Sequence, residues 1–463
     1  MAIKRSPVPD HKQFLFYFLC ICHLICKKAL PKAQLSSFLL LFYFFSCHID
    51  ISTLLLLKKE RIKMNRDEEQ QMHIYEDEED VEETYVEDDE VADVIHDTEE
   101  TGMMEDDEAE DDEAEEPTGD SEVLLEDDSV QGFFEHKKPV FAIDLHPKQQ
   151  NLAVSGGEDD RAYVWRLDTG EQAATLEKHE DSVASARFSS DGALVATGGM
   201  DGRVNVYRTD GYAKCAALDG PNEVQWLDWH PKGSVLLAGA QDGSLWMWSL
   251  PTGDFMNVFT GHSAPVSCGR FTNSGRNVVS GAEDGSLIIW DPKTAAIVRQ
   301  FVPEDERFHQ DGITSLAVAK DDQVILTGSM DCTAKLVHVN GNILGTLDGS
   351  TESVEAVGLC SVLPLAATGS VDGTLGIWDV NTMRLRTTLK HDDAVTKLLW
   401  HHNTPLLTSV SMDCTVRTWD ARTGDNVRVW KGHQEGIMDF AMTADGATVA
   451  TASDDGCCLV FAK

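Results

Sequence analysis

The chain has 463 residues, with 79 acidic against 38 basic side chains and a formal charge of -41. That balance excludes a protein that grips bare nucleic acid by displacing its counterions, and the length suffices for several domains or one long repeat array. Its 11 cysteines show no paired or zinc-finger spacing, which argues against a disulfide scaffold and predicts mostly buried small hydrophobes in a reducing compartment.

The charge is unevenly spread: residues 1–64 carry 10 basic and 3 acidic groups, residues 65–128 carry 1 and 33, and the remainder 27 and 43. Residues 1–63 hold two apolar runs, 14–26 and 35–57, the second interrupted by His48 and Asp50. The first is shorter than the ~20 residues of a membrane span, and Ala29 or Ala33 would serve only weakly as a cleavage site. Three readings stand: a signal or membrane anchor, a targeting peptide, and an over-extended gene model whose true start is Met64. The last is preferred, because composition changes abruptly at Met64 and the cysteine usage beyond it is cytosolic in style. Residues 64–128 form an acidic tail predicted to be disordered, since like charges repel and few apolar residues offset the ordering entropy. Such a tail either solubilises the chain or speeds the encounter with a basic partner.

Residues 129–463 are built from eight repeats. An aspartate recurs as Asp159, Asp201, Asp242, Asp284, Asp331, Asp372, Asp413 and Asp455, at intervals of 42, 41, 42, 47, 41, 41 and 42 residues. A histidine stands 22 or 23 residues before six of them: His136, His179, His262, His309, His391 and His433. A Ser or Thr lies four residues before each aspartate, except at Ala238, and an aromatic residue six after most of them. Two antiparallel strands with their turns take about twenty residues, so the histidine and aspartate of one unit meet at the same sheet edge. The predicted arrangement is a structural staple in which carboxylate, imidazole, hydroxyl and indole N–H satisfy one another in turn. All four members are present in His136, Ser155, Asp159, Trp165; in His262, Ser280, Asp284, Trp290; and in His391, Ser409, Asp413, Trp419. A catalytic Ser-His-Asp relay would be a single constellation with a nucleophile motif, whereas this set recurs with aromatic partners. No catalytic residue, cofactor site or metal site is therefore expected.

The third strand of each unit, as in SLIIW (286–290) and TLGIW (374–378), is apolar on both faces, which requires sheets covered on both sides. With the period and the Trp-Asp pairs at 290–291, 378–379 and 419–420, the chain reads as WD repeats in an all-β propeller. Each unit supplies three strands and then a fourth, outer one, such as residues 257–260, 385–389 and 427–430. The last unit stops at Lys463 without one, so residues 130–134 are predicted to close the final blade and remove two exposed sheet edges. The expectation is eight blades, with seven as the alternative if the weak fifth unit does not form.

The stretches NLAVSGGEDDRAYVWRLDTGE (151–171), LDWHPKGSVLLAGAQDG (227–243) and GLCSVLPLAATGSVDGTL (358–375) resemble the angio-associated migratory cell protein family over residues 64–463. The resemblance implies a non-enzymatic scaffold, with cytoplasmic roles in migration and signalling. A fungal relative looks like a dedicated chaperone for a basic ribosomal protein of the large subunit, which adds ribosome biogenesis and a nuclear phase to the expected roles.

Loops entering the first strand and turns before the third share one rim of a propeller. Here they carry Asp181, Glu223, Asp311, Glu352, Glu355, Asp393 and Glu435 from the loops, and Glu158, Glu283 and Asp454 from the turns, opposed by Lys137 and Lys138. This rim is expected either to be a solvated acidic surface or to clamp an Arg/Lys-rich segment through charge-assisted hydrogen bonds, with an exposed Trp226 available for stacking. The connection 302–308 is expected to form one wall. The expected partner is a basic protein or peptide, of which a ribosomal protein is one candidate, bound by a monomer with no direct nucleic-acid contact and no membrane association unless residues 1–63 are real.

Overall fold

The computed structural model describes residues 126–463. The apolar extension of residues 1–63 and the acidic tail as far as residue 125 lie outside the described residues. Among the described residues, 32 strands form eight four-stranded antiparallel sheets. Numbered along the chain, blade 1 consists of Val140–Leu145, Leu152–Gly157, Ala162–Arg166 and Gln172–Thr175, from the innermost strand outwards. The innermost strands of successive blades pack side by side around a central channel, and Ile437–Met442 of blade 8 returns to Val140–Leu145 of blade 1.

Each blade boundary is filled by its own apolar cluster, because third strands such as Leu287–Asp291 bury residues on both faces. At the boundary of blades 3 and 4, for instance, Leu237, Met247 and Phe259 meet Phe271, Ile288 and Trp290. Seven of the eight inner strands open on a β-bulge, as between Val140 and Ala142 in blade 1, the exception being Cys268–Phe271 of blade 4. The extra residue sharpens the twist that lets flat sheets close into a ring. The fifth unit forms a complete blade of four strands, Ile313–Val318, Val324–Ser329, Thr333–His338 and Ile343–Asp348, so the ring has eight blades.

Closure occurs where expected. Gln131–Phe133 runs antiparallel to Cys458–Ala462, with Gln131 opposite Val460 and Phe133 opposite Cys458. Phe133 is 1% exposed and Phe134 is 60% exposed, as the two-residue period of a strand requires. Outer strands are somewhat longer than expected, at Asp254–Thr260, Arg384–Lys390 and Asp425–Trp430. The described end of the acidic tail is also anchored: Asp128 N–H donates to Lys431 O at 2.8 Å, and Lys431 Nζ lies 2.7 Å from Glu126. Seven cysteines among the described residues are free thiols; Cys458 is buried and the other six are half-buried, which corrects the expectation of mostly buried cysteines. Cys332 and Cys414 sit in tight turns, where they replace the glycine found after Asp372 and meet solvent on one side.

Candidate functional site

The staples hold the rim in place. In blade 1, His136 Nδ1 is 3.0 Å from Asp159 and its Nε2 2.9 Å from Ser155 Oγ, which also accepts from Trp165 Nε1 at 3.2 Å. A carboxylate can only accept, so Nδ1 carries the ring proton, Nε2 accepts the hydroxyl, and the hydroxyl oxygen is free for the indole. Blade 7 repeats this with His391, Asp413, Ser409 and Trp419 at 2.8–2.9 Å. Burial works against ionisation of Asp413, but hydrogen bonds from His391, Thr415 and the Asp392 N–H outweigh it and hold the carboxyl well below the usual range.

Blade 4 departs from the expected chain. His262 Nε2 meets Ser280 Oγ at 2.7 Å and Trp290 donates to that oxygen at 2.8 Å, but Nδ1 stands 3.7 Å from Asp284. Ser286 bridges the gap, accepting from His262 Nδ1 at 2.7 Å and donating to Asp284 at 2.5 Å. Blades 3 and 6 lack the histidine. In blade 3 Trp246 donates to Ser244, which donates to Asp242; in blade 6 the Thr351 hydroxyl and N–H take the imidazole's place on Asp372.

Turn and entry loop of one blade are joined by backbone hydrogen bonds that bring the two sets of acidic residues onto one face. Glu158 N–H donates to Pro139 O at 2.8 Å, Glu283 N–H to Pro265 O at 2.9 Å, and Asp454 N–H to Gly436 O at 3.0 Å. Asp311, Glu352 and Glu435 are exposed there; Glu158, Asp181, Glu223, Glu283, Glu355, Asp393 and Asp454 are half-buried. Asp181, Asp311 and Asp393 each accept the next residue's N–H at 2.7 Å, which fixes the carboxylate and leaves its second oxygen available. Among the described residues, the cation paired within this set is Lys138, 3.4 Å from Glu158. Lys137 instead gives its backbone N–H to Asp159. Burial pushes Glu283 up, and burial together with Glu435, Glu158 and Asp455 raises Asp454 to about 6. Glu355 lies in the bulge of the blade 6 inner strand and is raised by burial, partly offset by a 2.6 Å hydrogen bond from Ser353. Carboxylates crowded together with Lys138 as their paired cation are poised to gain from an arriving guanidinium or ammonium.

Trp226 does not belong to this surface. Its indole is half-buried between blades 3 and 4 and donates to Val266 O at 2.8 Å. Gly239 and Gly269 create the slot, since a Cβ at either would approach the ring to 2.2 Å. The 302–308 connection folds onto the same face beside the blade 4 turn, with Pro303 over Gly285, and Phe308 is buried against Phe301.

The channel carries a charged series that sequence reasoning missed. Asp439 accepts the Ile143 N–H at 3.0 Å, Asp144 the Phe188 N–H at 2.9 Å, and Asp228 the Phe271 N–H at 2.7 Å, so each ties its inner strand to the following blade. Lys397 pairs with Asp439, and Arg187 lies 3.8 Å from Asp144. Part of the signal was present, because Asp144, Arg187 and Asp228 each stand four residues after the apolar residue that opens the inner strand, whereas Lys397 and Asp439 stand only two after theirs. At the channel's other end, a cavity of about 700 Å3 opens between blades 5 and 6 over Val318, Val324, Leu359, Leu363 and Val380.

Comparison with known proteins places this geometry. The WD domain, G-beta repeat, family model matches residues 128–166 and 170–208, and the model described as Nucleolar protein 10-like, N-terminal domain, matches residues 214–462. The human angio-associated migratory cell protein is 39% identical over 351 residues, covering 72% of this chain and 80% of that protein. The chain belongs to the angio-associated migratory cell protein family. The Saccharomyces cerevisiae ribosome assembly protein SQT1 is 28% identical to this family member, over 73% of this chain and 88% of SQT1. The crystal structure of Chaetomium thermophilum Sqt1 bound to the N-terminus of the ribosomal protein L10 superposes with a TM-score of 0.69. It is 28% identical and covers 73% of this chain and 100% of that one. The family member is thus a WD40 propeller of the scaffold type.

Proposed function

We propose that this protein is a non-enzymatic chaperone that holds a basic segment of a ribosomal protein on its carboxylate face during large-subunit assembly, acting in the cytoplasm with a nuclear phase. The observation that carries the reading is the gathering of ten carboxylates on one face with Lys138 as the cation paired among them. The likeness to Sqt1, solved with the N-terminus of L10, supports it. The Ser, His and Asp side chains of a catalytic type are consumed by the staples, their polar atoms directed at one another. Exposed ion pairs are individually worth at most ~1 kcal/mol, so affinity would come from many acting together.

The test is capture of a synthetic peptide of the L10 N-terminus at low and high salt, by wild type and by the E283K/E355K/D454K variant. Binding that weakens steeply with salt and disappears in the variant supports the reading; capture indifferent to both refutes it. A signalling scaffold in cell migration is the second reading, favoured by the 39% identity to the human protein. It predicts a principal partner retained at high salt.

A further inference from the structure

In seven of the eight blades the inner strand carries a bulged residue just after its entry from the carboxylate face. In blades 5 and 7 it is a hydroxyl residue engaged with the next inner strand, Thr314 donating to Val354 O and Thr396 to Ile437 O at 2.6 Å; in blade 4 Ser267, just before the unbulged strand, donates to Ile313 O. In blade 8 the same place is taken by Met438, half-buried. Blade 7 adds Met412 from the turn before its third strand. Its Sδ and Cε lie over Gly436, where a Cβ would approach them to 2.4 and 2.3 Å, so Met412 leans onto the loop that enters blade 8. Met412 and Met438 therefore form an apolar wall at the entry to blade 8, beside Glu435 and Asp454, with Glu158 acting on Asp454 from blade 1.

A run of lysines or arginines alone leaves such a wall wet. Thioethers adapt to the shape of an inserted group, and burying an apolar side chain there yields stabilisation that salt does not screen. We propose that the segment bound on this face is amphipathic, with a bulky apolar side chain, aromatic or leucine-sized, seated on Met412 and Met438 and flanked by cations that meet Glu435, Asp454 and Glu158. This inference rests on the reading of the carboxylate face as the binding face, and it specifies the partner further.

Two synthetic peptides of equal length and charge test it, one of Arg and Lys spaced by Gly and Ser, the other with Tyr and Leu in place of some of the spacers. Both are titrated into the full chain at low and high salt. The apolar-bearing peptide is expected to bind about tenfold tighter, the effect of half-burying one large side chain, and to keep that preference at high salt. The M412Q/M438Q variant is expected to lose the preference while binding the plain basic peptide as before. Methyl-labelled methionine spectra of the unaltered protein supply a reading free of mutation: the Met412 and Met438 methyl signals shift with the apolar-bearing peptide and stay in place with the other. Equal affinities, a preference that survives the double substitution, or unshifted methyl signals overturn the inference while leaving the carboxylate face standing. Failure of both peptides to bind at low salt overturns the underlying reading and the inference with it.

Discussion

Phe133 lies face to face with Trp165, the ring centroids 5.2 Å apart and the planes 7° from parallel, although Phe133 belongs to the strand that closes blade 8 and Trp165 to the third strand of blade 1. The closing strand thus does two things: it pairs with the last strand of the chain and sends a ring into the seam between the last blade and the first. Truncation of Phe133 to alanine should cost about 3–5 kcal/mol, as for other buried aromatic residues. The neighbouring Phe134→Ala, at an exposed site, should stay within ~0.5 kcal/mol. Urea unfolding of the two variants checks the contrast.

Ser409 serves two partners at once, so its loss should exceed that of an ordinary hydroxyl. Ser409→Ala leaves His391 Nε2 and Trp419 Nε1 without their shared partner, at about 1–3 kcal/mol for each orphaned group. Ser409→Thr keeps the hydroxyl, as Thr197 and Thr327 do in blades 2 and 5, and should lie within about 1 kcal/mol of wild type. Thermal and urea denaturation distinguish the two.

The staple carboxylates also set the acid limit of the fold. Asp284, Asp331 and Asp413 are held well below the usual carboxylate range despite their burial. Their folded-state pKa is depressed, so their contribution is complete above the unfolded value of about 3.9 and is lost only as pH falls through the lower folded values. Asp413→Asn should therefore destabilise the protein at pH 7 and matter progressively less as pH drops towards 2. A pH series of unfolding midpoints measures this.

Asp454 titrates in the opposite sense. Burial and its acidic neighbours raise it to about 6. Its contribution is full below the ordinary carboxylate pKa and declines as pH rises through 6, where the charge is forced to form among like charges. Asp454→Asn should be neutral below pH 4 and stabilising at pH 8, by about 1 kcal/mol once solvent screening is allowed for. The same titration predicts that affinity for a basic peptide falls between pH 7 and 5 in wild type and less so in the variant, which isothermal titration can follow.

Trp226 offers a negative control for the binding face. Trp226→Phe removes the hydrogen bond to Val266 O and should cost about 1–2 kcal/mol of stability. Capture of a basic peptide should remain within about twofold of wild type, since the ring is wedged between blades rather than displayed. Loss of binding in a folded Trp226→Phe protein would contradict that placement.

Much of the architecture was legible in the sequence because its determinants lie within single repeats. The His, Ser/Thr, Asp and aromatic positions recur at fixed offsets, and a strand period of two places them at one sheet edge. The missing fourth strand after Phe461 could be matched to residues 130–134 by counting. The carboxylates of the rim were legible for the same reason, as the irregular positions of a regular turn. The second serine of blade 4 was harder to read: Ser286 is an ordinary turn residue until His262 Nδ1 and Asp284 are found 3.7 Å apart.

What the amino-acid order by itself determined is the repeat, the staple inside each blade and the way the ends meet, all of them consequences of local strand geometry. Only the tertiary structure decided what happens between blades. It seated Trp226 against Gly239 and Gly269, linked Asp439 to Ile143 and Asp144 to Phe188, and laid Met412 over Gly436. Those contacts join residues that are distant in the chain or belong to different repeats, and they depend on the twist and closure of the whole ring, which no single repeat encodes.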